Sequence, residues 1–306
     1  MTPRGPALAG LALVAGYTGL ISGADGITKL LAGGYAAPQL YALSGIMVAA
    51  LCAVCARGTG ARAGRGLRAE LRMTAPGAMA LRAGATVVAA LCFYSAFRLL
   101  PFAEVFLFIG LMPILAGLMS GPILKEHVRP SAWFALVAGA VGVACLFPQG
   151  VAGIGGGHLW ALGAAVSGTF SMVMARRLSG LGTGALAQVF YPNLALGVLM
   201  LAALPFVWRP MGAGDAGLVV AYAALLFGAR WVLVVALRLL PAFAVTPLMN
   251  LQFVWMVAIG ALAFGEWPQA GTWLGVAIVV ASGAYLLWDQ MAPRPTTVPP
   301  RARTDP

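Results

Sequence analysis

Between residues 7 and 288 the chain divides into ten mostly apolar runs, each near the ~20 residues that a helix needs to cross the hydrocarbon of a bilayer. Read between charges and Gly/Pro breaks, the runs lie at 7–30, 35–56, 75–97, 101–124, 131–148, 158–175, 185–207, 216–237, 242–264 and 271–288. They cannot be folded into a soluble core, because 61% of the residues are hydrophobic and only 9% charged, against roughly 25% charged in a soluble domain. Lipid must then be the solvent for most of the surface. In lipid every backbone polar group is satisfied within its own segment, which makes such runs helices. The sequence predicts an all-α polytopic membrane protein with ten transmembrane helices.

A net charge of +11 would suit a nucleic-acid binder, but the basic residues build no aromatic-studded polar surface of the kind single-strand binders use. Arg57, Arg62, Arg65, Arg68 and Arg72 share one connection, Arg176 and Arg177 another, and Arg294, Arg301 and Arg303 the tail. Basic residues gathered in alternate loops follow the positive-inside rule. With a cytoplasmic N-terminus, fourteen Lys and Arg fall on the cytoplasmic side and three (Lys29, Arg98 and Arg209) on the other. Both termini are therefore expected in the cytoplasm, with the lipid bilayer and not nucleic acid as partner. The apolar run from Ala7 to Ser22 leads straight into further spans, which reads as an uncleaved first helix. Residues 291–306 are proline-rich without apolar periodicity and read as a disordered cytoplasmic tail.

The chain repeats itself. Arg98-Leu99-Leu100-Pro101 recurs as Arg238-Leu239-Leu240-Pro241, and the same shift of 140 positions brings Glu126 onto Glu266 and Trp133 onto Trp273. The shift spans five helices, and an odd number reverses orientation. The expected organisation is a five-helix repeat over 1–148 and an inverted one over 149–290, the arrangement that underlies alternating access in secondary carriers.

Several segments resemble the EamA-type members of the drug/metabolite transporter superfamily. They are Phe93-Tyr94-Ser95-Ala96-Phe97-Arg98-Leu99-Leu100-Pro101, the block 236–288 with its Gly265-Glu266 pair, Asp25-Gly26-Ile27-Thr28-Lys29 in the first run, Phe190-Tyr191, and Leu204-Pro205-Phe206-Val207-Trp208. The resemblance implies ten helices, cytoplasmic termini, residence in a bacterial inner membrane, and carriage of small organic solutes. Three positions depart from the family pattern: Lys125 replaces the usual glycine before Glu126, Ser44 a frequent arginine, and Arg230 an amide or small residue.

Ionisable groups inside a span cost about 2.5–3.5 kcal/mol each on insertion scales, so each needs a reason. Arg230 lies some fourteen residues into the eighth run. It either faces a central cavity and binds an anionic group with its planar fork, or pairs with Glu104 or Asp25. Asp25 and Lys29, four apart with the acid first, form a gate or coupling element, or a self-neutralised pair at a helix end. Glu104 follows Pro101 in a first turn, where it either serves the helix dipole or acts as a coupling or substrate-amine site. In the ninth run Asn250 and Gln252 are about 200° apart on a helix, so only one can face a given cavity. Met249 and Met256 share the Gln252 face and would suit an adaptable wall. Tyr94, Tyr191 and Trp255 are candidate stacking groups, with packing or the interfacial belt as the alternative. Glu126 and Glu266 read as structural, and Arg82 as a snorkelling or lipid-phosphate residue near a span end. Cys52 and Cys55 form a CxxC, but without a second pair or nearby histidine they read as packing groups.

The leading reading is a secondary carrier of a small organic metabolite, such as an amino acid, an organic acid or a similar amphipathic solute. No GxxxxGK[ST] is present to bind nucleotide, and no cofactor or metal is expected. A membrane-embedded enzyme would need a nucleophile with its base or clustered ligands, yet the two histidines, His127 and His158, belong to opposite sides. A channel would need a ring of repeated polar groups. A small-molecule substrate is the expected partner, and homodimerisation is left open.

Overall fold

The computed structural model describes residues 4–62, 64, 66–100, 105, 108–125, 133, 134, 137, 141, 155–240, 245, 248, 249, 251–267, 277, 278, 281 and 285. Among these every regular element is a helix: α1 (Arg4–Ala32), α2 (Ala37–Arg62), α3 (Leu67–Glu70), α4 (Pro76–Leu99), α5 (Met112–Leu124), α6 (Gly156–Gly180), α7 (Ala185–Val207), α8 (Ala213–Leu239) and α9 (Gln252–Phe264). Eight carry apolar runs read from the sequence. The short α3 lies in the arginine-rich connection and was not expected. The runs at 131–148 and 271–288 lie almost wholly outside the described residues. Among the described residues five helices are both long and apolar enough to cross a bilayer: Ala37–Gly60 within α2, and α4, α6, α7 and α8. Large apolar side chains face outward on them, among them Val54, Leu81, Leu159, Leu199 and Phe206, which is the surface of an integral membrane protein.

Two helices start later than their runs. A turn at Gly110 and Leu111 separates helical Phe108 and Ile109 from α5, which opens with Pro113 in its first turn, and a turn at Leu251 likewise precedes α9. The breaks are twins. Leu111 N–H donates to Phe108 O and Leu251 N–H to Leu248 O, both at 3.1 Å. Leu100 and Leu240, which end α4 and α8, are extended with ψ of 152° and 147°. Lys125 and Gly265, which end α5 and α9, are left-handed with φ of 56° and 67°. Every one of these pairs is 140 residues apart.

Packing repeats the theme. α1 lies along α8 and α9, while α6 lies along α4 and α5; α2 also meets α8, as α7 meets α4. Each pairing thus has a counterpart when α1, α2, α4 and α5 are exchanged for α6, α7, α8 and α9. The contact of α2 with α7 is its own counterpart. There Gly45 and Gly197 let the backbones touch: a Cβ on Gly45 would stand 2.8 Å from Gly197 Cα. Lipid supplies no hydrophobic drive between helices, so close approach through small residues is what holds such a pair.

Candidate functional site

Where α1, α2 and α4 to α9 converge they line a cavity of about 180 Å³. A single water needs only about 10–15 Å³, so the space has room for several waters or a small solute. Its walls come from positions that correspond at a fixed shift in the sequence. Arg82, Thr86, Ala90, Phe93, Ile109 and Met112 line it from the first half, and Tyr222, Leu226, Arg230, Leu233, Met249 and Gln252, each 140 residues later, line it from the second. On α1 and α6 the shift is 147: Ile21, Asp25 and Thr28 answer Gly168, Met172 and Ala175. Helices of equal pitch in matching positions present equivalent faces, so the two halves contribute the same stripe of backbone but different side chains.

The charges are not duplicated. Asp25 stands opposite Met172 in this correspondence, Arg82 opposite Tyr222, and Arg230 opposite Ala90. Arg230 donates from Nη1 to Asn193 Oδ1 of α7 at 2.9 Å. Asp25 Oδ2 accepts from Gln252 Nε2 at 2.9 Å. Arg82 is 8% exposed, donates from Nη1 to Ser171 O at 3.4 Å, and has no partner for Nε. Thr86 Oγ1 and Ser171 Oγ close this corner at 2.7 Å. Tyr17, Tyr41, Phe93, Phe97 and Tyr222 supply aromatic wall.

The structure thus brings Asp25, Arg230 and Gln252 to one cavity. It does not bring the proposed stacking groups there. Tyr94 is buried against Tyr41, with its hydroxyl donating to Tyr35 O. Tyr191 OH donates to Leu71 O at 2.9 Å. Trp255 is 50% exposed on the outer face of α9, beside Gly19 of α1. In the two tyrosines a backbone carbonyl fixes the phenol away from the cavity, and Trp255 sits on the lipid side of its helix. Asn250 and Glu104 lie outside the described residues.

Residues 44–147 match the EamA-like transporter family. That family is part of the drug/metabolite transporter superfamily. A riboflavin transporter of Vibrio cholerae serotype O1 is 27% identical over 174 residues, which are 57% of this chain, and the chain spans 58% of that relative's length. A crystal structure superposes with a TM-score of 0.65 at 20% identity, over 90% of this chain and 95% of the other. That likeness is one of fold alone.

Two expectations about charges are corrected. The Asp25–Lys29 step does not neutralise itself. Asp25 is taken by Gln252, while Lys29 pairs with Glu266 just beyond α9 and lies 4.8 Å from the centre of the Phe264 ring. A share of one helix face brings the two side chains near, but α9 offers each a partner across the interface. Arg82, read as a snorkelling residue, is turned inward instead and lines the cavity. Its signal was available: Arg82 is seven residues into α4, followed one turn later by Thr86. Gln188 and Asn193 of α7, both fully buried, were also passed over, although amides within an apolar span are themselves conspicuous.

Proposed function

We propose that this protein is a secondary carrier that moves a small organic solute across the membrane by alternating access through the central cavity. In this reading it has ten transmembrane helices in two inverted repeats, 1–148 and 149–290, with both termini cytoplasmic and the inner membrane of a bacterium as its location. The observation that carries it is the cavity lined by Asp25, Arg82 and Arg230 and walled by residues 140 apart within an otherwise apolar bundle. The counterpart packing of α1, α2, α4 and α5 with α6, α7, α8 and α9 supports the two-repeat organisation, because a pocket on the axis between inverted halves can open to either side. Arg230 binds an electron-rich group of the solute, and Asp25 with Gln252 forms the coupling or gating element. Lys29, joined to Glu266, ties α1 to α9 near one mouth.

A second solute reading rests on the aromatic wall and on the Vibrio cholerae relative: a flat ring system such as a flavin. Both readings are tested together. The purified protein is placed in proteoliposomes preloaded with unlabelled solute, and uptake of labelled amino acids, hydroxy acids and riboflavin is followed. Saturable counterflow of one of them is expected, and leak without saturation by any solute would instead favour a channel. Cysteines placed at residues 99 and 239 should react with impermeant reagent from opposite sides of the membrane, and labelling from one side would end the inverted-repeat reading.

A further inference from the structure

The cavity holds two polar side chains whose hydrogen-bonding capacity the protein leaves unused. Arg82 Nε and Gln188 Oε1 are buried without a partner, although Arg82 is 8% and Gln188 0% exposed, and both residues line the cavity. Gln188 spends its amide nitrogen on Ser179 Oγ at 2.9 Å and Thr183 O at 3.2 Å, which leaves the carbonyl oxygen as acceptor. Arg82 spends one bond on Ser171 O. A guanidinium has five N–H donors, so most of its fork is available.

Both residues lie toward the same end of the bundle. Arg82 is in the second turn of α4 and Gln188 in the first turn of α7, and the starts of these helices are tied by the Thr74–Thr183 hydroxyl contact. α8 finishes at this end, since Arg238 Nη2 donates to Thr183 O at 2.9 Å. Arg230, eight residues before Arg238, is about 12 Å along α8 from that end, and Arg82, six residues after Pro76, is about 9 Å along α4 from it, so both line the cavity at similar depth. Neither guanidinium forms an ion pair with a carboxylate among the described residues, although Asp25 lines the same cavity. A buried cation left without a counter-ion is strongly destabilising, and an unpaired buried acceptor costs the desolvation of that group. A ligand removes both penalties only if it brings an anion and a donor together.

We infer that the solute of this carrier is an organic anion bearing an O–H or N–H donor, its anionic group held by Arg82 with Arg230 and its donor received by Gln188 Oε1. The inference rests on the carrier reading and narrows it. It excludes plain carboxylates without a donor and uncharged ring systems as preferred solutes. The aromatic wall accepts an apolar body on the same molecule.

The test uses the full chain in proteoliposomes and three labelled probes of one shape: 2-hydroxy-3-phenylpropanoate, 3-phenylpropanoate, which lacks the donor, and 2-hydroxy-3-phenylpropanamide, which lacks the charge. Riboflavin is the fourth probe. The hydroxy acid is expected to show saturable counterflow, with each of the other probes weaker by about tenfold or more, the range of one charge-assisted or buried hydrogen bond. Arg82→Gln should remove the preference for acid over amide. Arg82→Lys should retain that preference at reduced affinity, which separates a charge requirement from a packing one. Gln188→Leu should bring the hydroxy acid and its deoxy analogue to equal affinity. Melting curves in detergent identify any variant that fails to fold, and for such a variant the wild-type ranking of the four probes decides. Equal transport of acid and amide, or riboflavin uptake insensitive to Arg82→Gln, would overturn the inference while leaving the carrier standing. Saturable exchange of none of the four by folded wild-type protein overturns the inference, and the broader solute panel then decides the carrier reading on its own.

Discussion

The wall built by α4 and α5 and the wall built by α8 and α9 share one backbone pattern, and they carry their single arginines at different positions. Six lining positions on each correspond at a shift of 140, and both walls break before their second helix and end it in a left-handed residue. Yet where one wall places Arg82 the other places Tyr222, and where the second places Arg230 the first places Ala90. The lesson is that backbone geometry and charge are inherited separately. Matching helices give two similar surfaces to the cavity, whereas each charge stands at only one position of a pair.

The largest expected effect tests the charge side of that comparison. Arg230→Gln should lower uptake of an anionic solute by about a hundredfold, the upper range of a bond to a charged group, while leaving expression and melting temperature in detergent intact. Unchanged uptake would show that the second wall needs no cation. Next comes the geometry where the halves meet. Gly45→Leu or Gly197→Leu drives a side chain into the facing backbone, at 2.8 Å and 2.9 Å respectively, and should destabilise by about 1–3 kcal/mol or more, read as a fall in melting temperature. Gly84→Ala, with nothing within 4 Å of its Cβ, serves as the matched control and should be neutral or slightly stabilising.

The paired helix ends sharpen the comparison further. Lys125 holds the left-handed conformation that Gly265 holds without strain, so Lys125→Gly should stabilise by about 1 kcal/mol and Gly265→Ala destabilise by about as much, as measured by denaturation in detergent. A smaller effect is expected at the Lys29–Glu266 pair, whose side chains are 16% and 38% exposed. Glu266→Gln should change stability by less than about 1 kcal/mol, because exposed ion pairs contribute little. Smallest is the Tyr35 contact in the α1–α2 connection. Its hydroxyl donates to Asp215 Oδ2 at 2.5 Å, and that bond raises the phenol above its ordinary range. The folded protein therefore favours the protonated phenol, so any stabilisation is present below about pH 10 and disappears as pH rises through the raised value. Melting temperatures of Tyr35→Phe and the parent should differ only in the lower range and converge above it.

Legibility varied with the range of the interaction. Eight apolar runs became helices because span length is a property of the segment itself. The late starts of α5 and α9 were not foreseen, since Gly110 and Leu251 read as ordinary members of apolar runs. Arg230, Asp25 and Gln252 were singled out because an ionisable or amide group within a span has no cheap local explanation. Arg82 was given one, the reach of a long side chain to the interface, and that explanation was wrong because Ser171 on a distant helix receives it inside. Tyr94, Tyr191 and Trp255 had the right chemistry for a binding wall, but carbonyls and lipid settle where an aromatic ring goes.

The sequence alone determined that this chain lives in lipid, that eight of its runs are helices, and that Arg98–Pro101 recurs at a shift of 140. Those follow from composition and spacing, which a linear chain states directly. Only the tertiary structure decided that Asp25 belongs to Gln252 and not to Lys29, and that Arg82 joins Arg230 around one cavity. Such pairings depend on which faces of distant helices meet, and a helix's own residues fix its faces without fixing its neighbours.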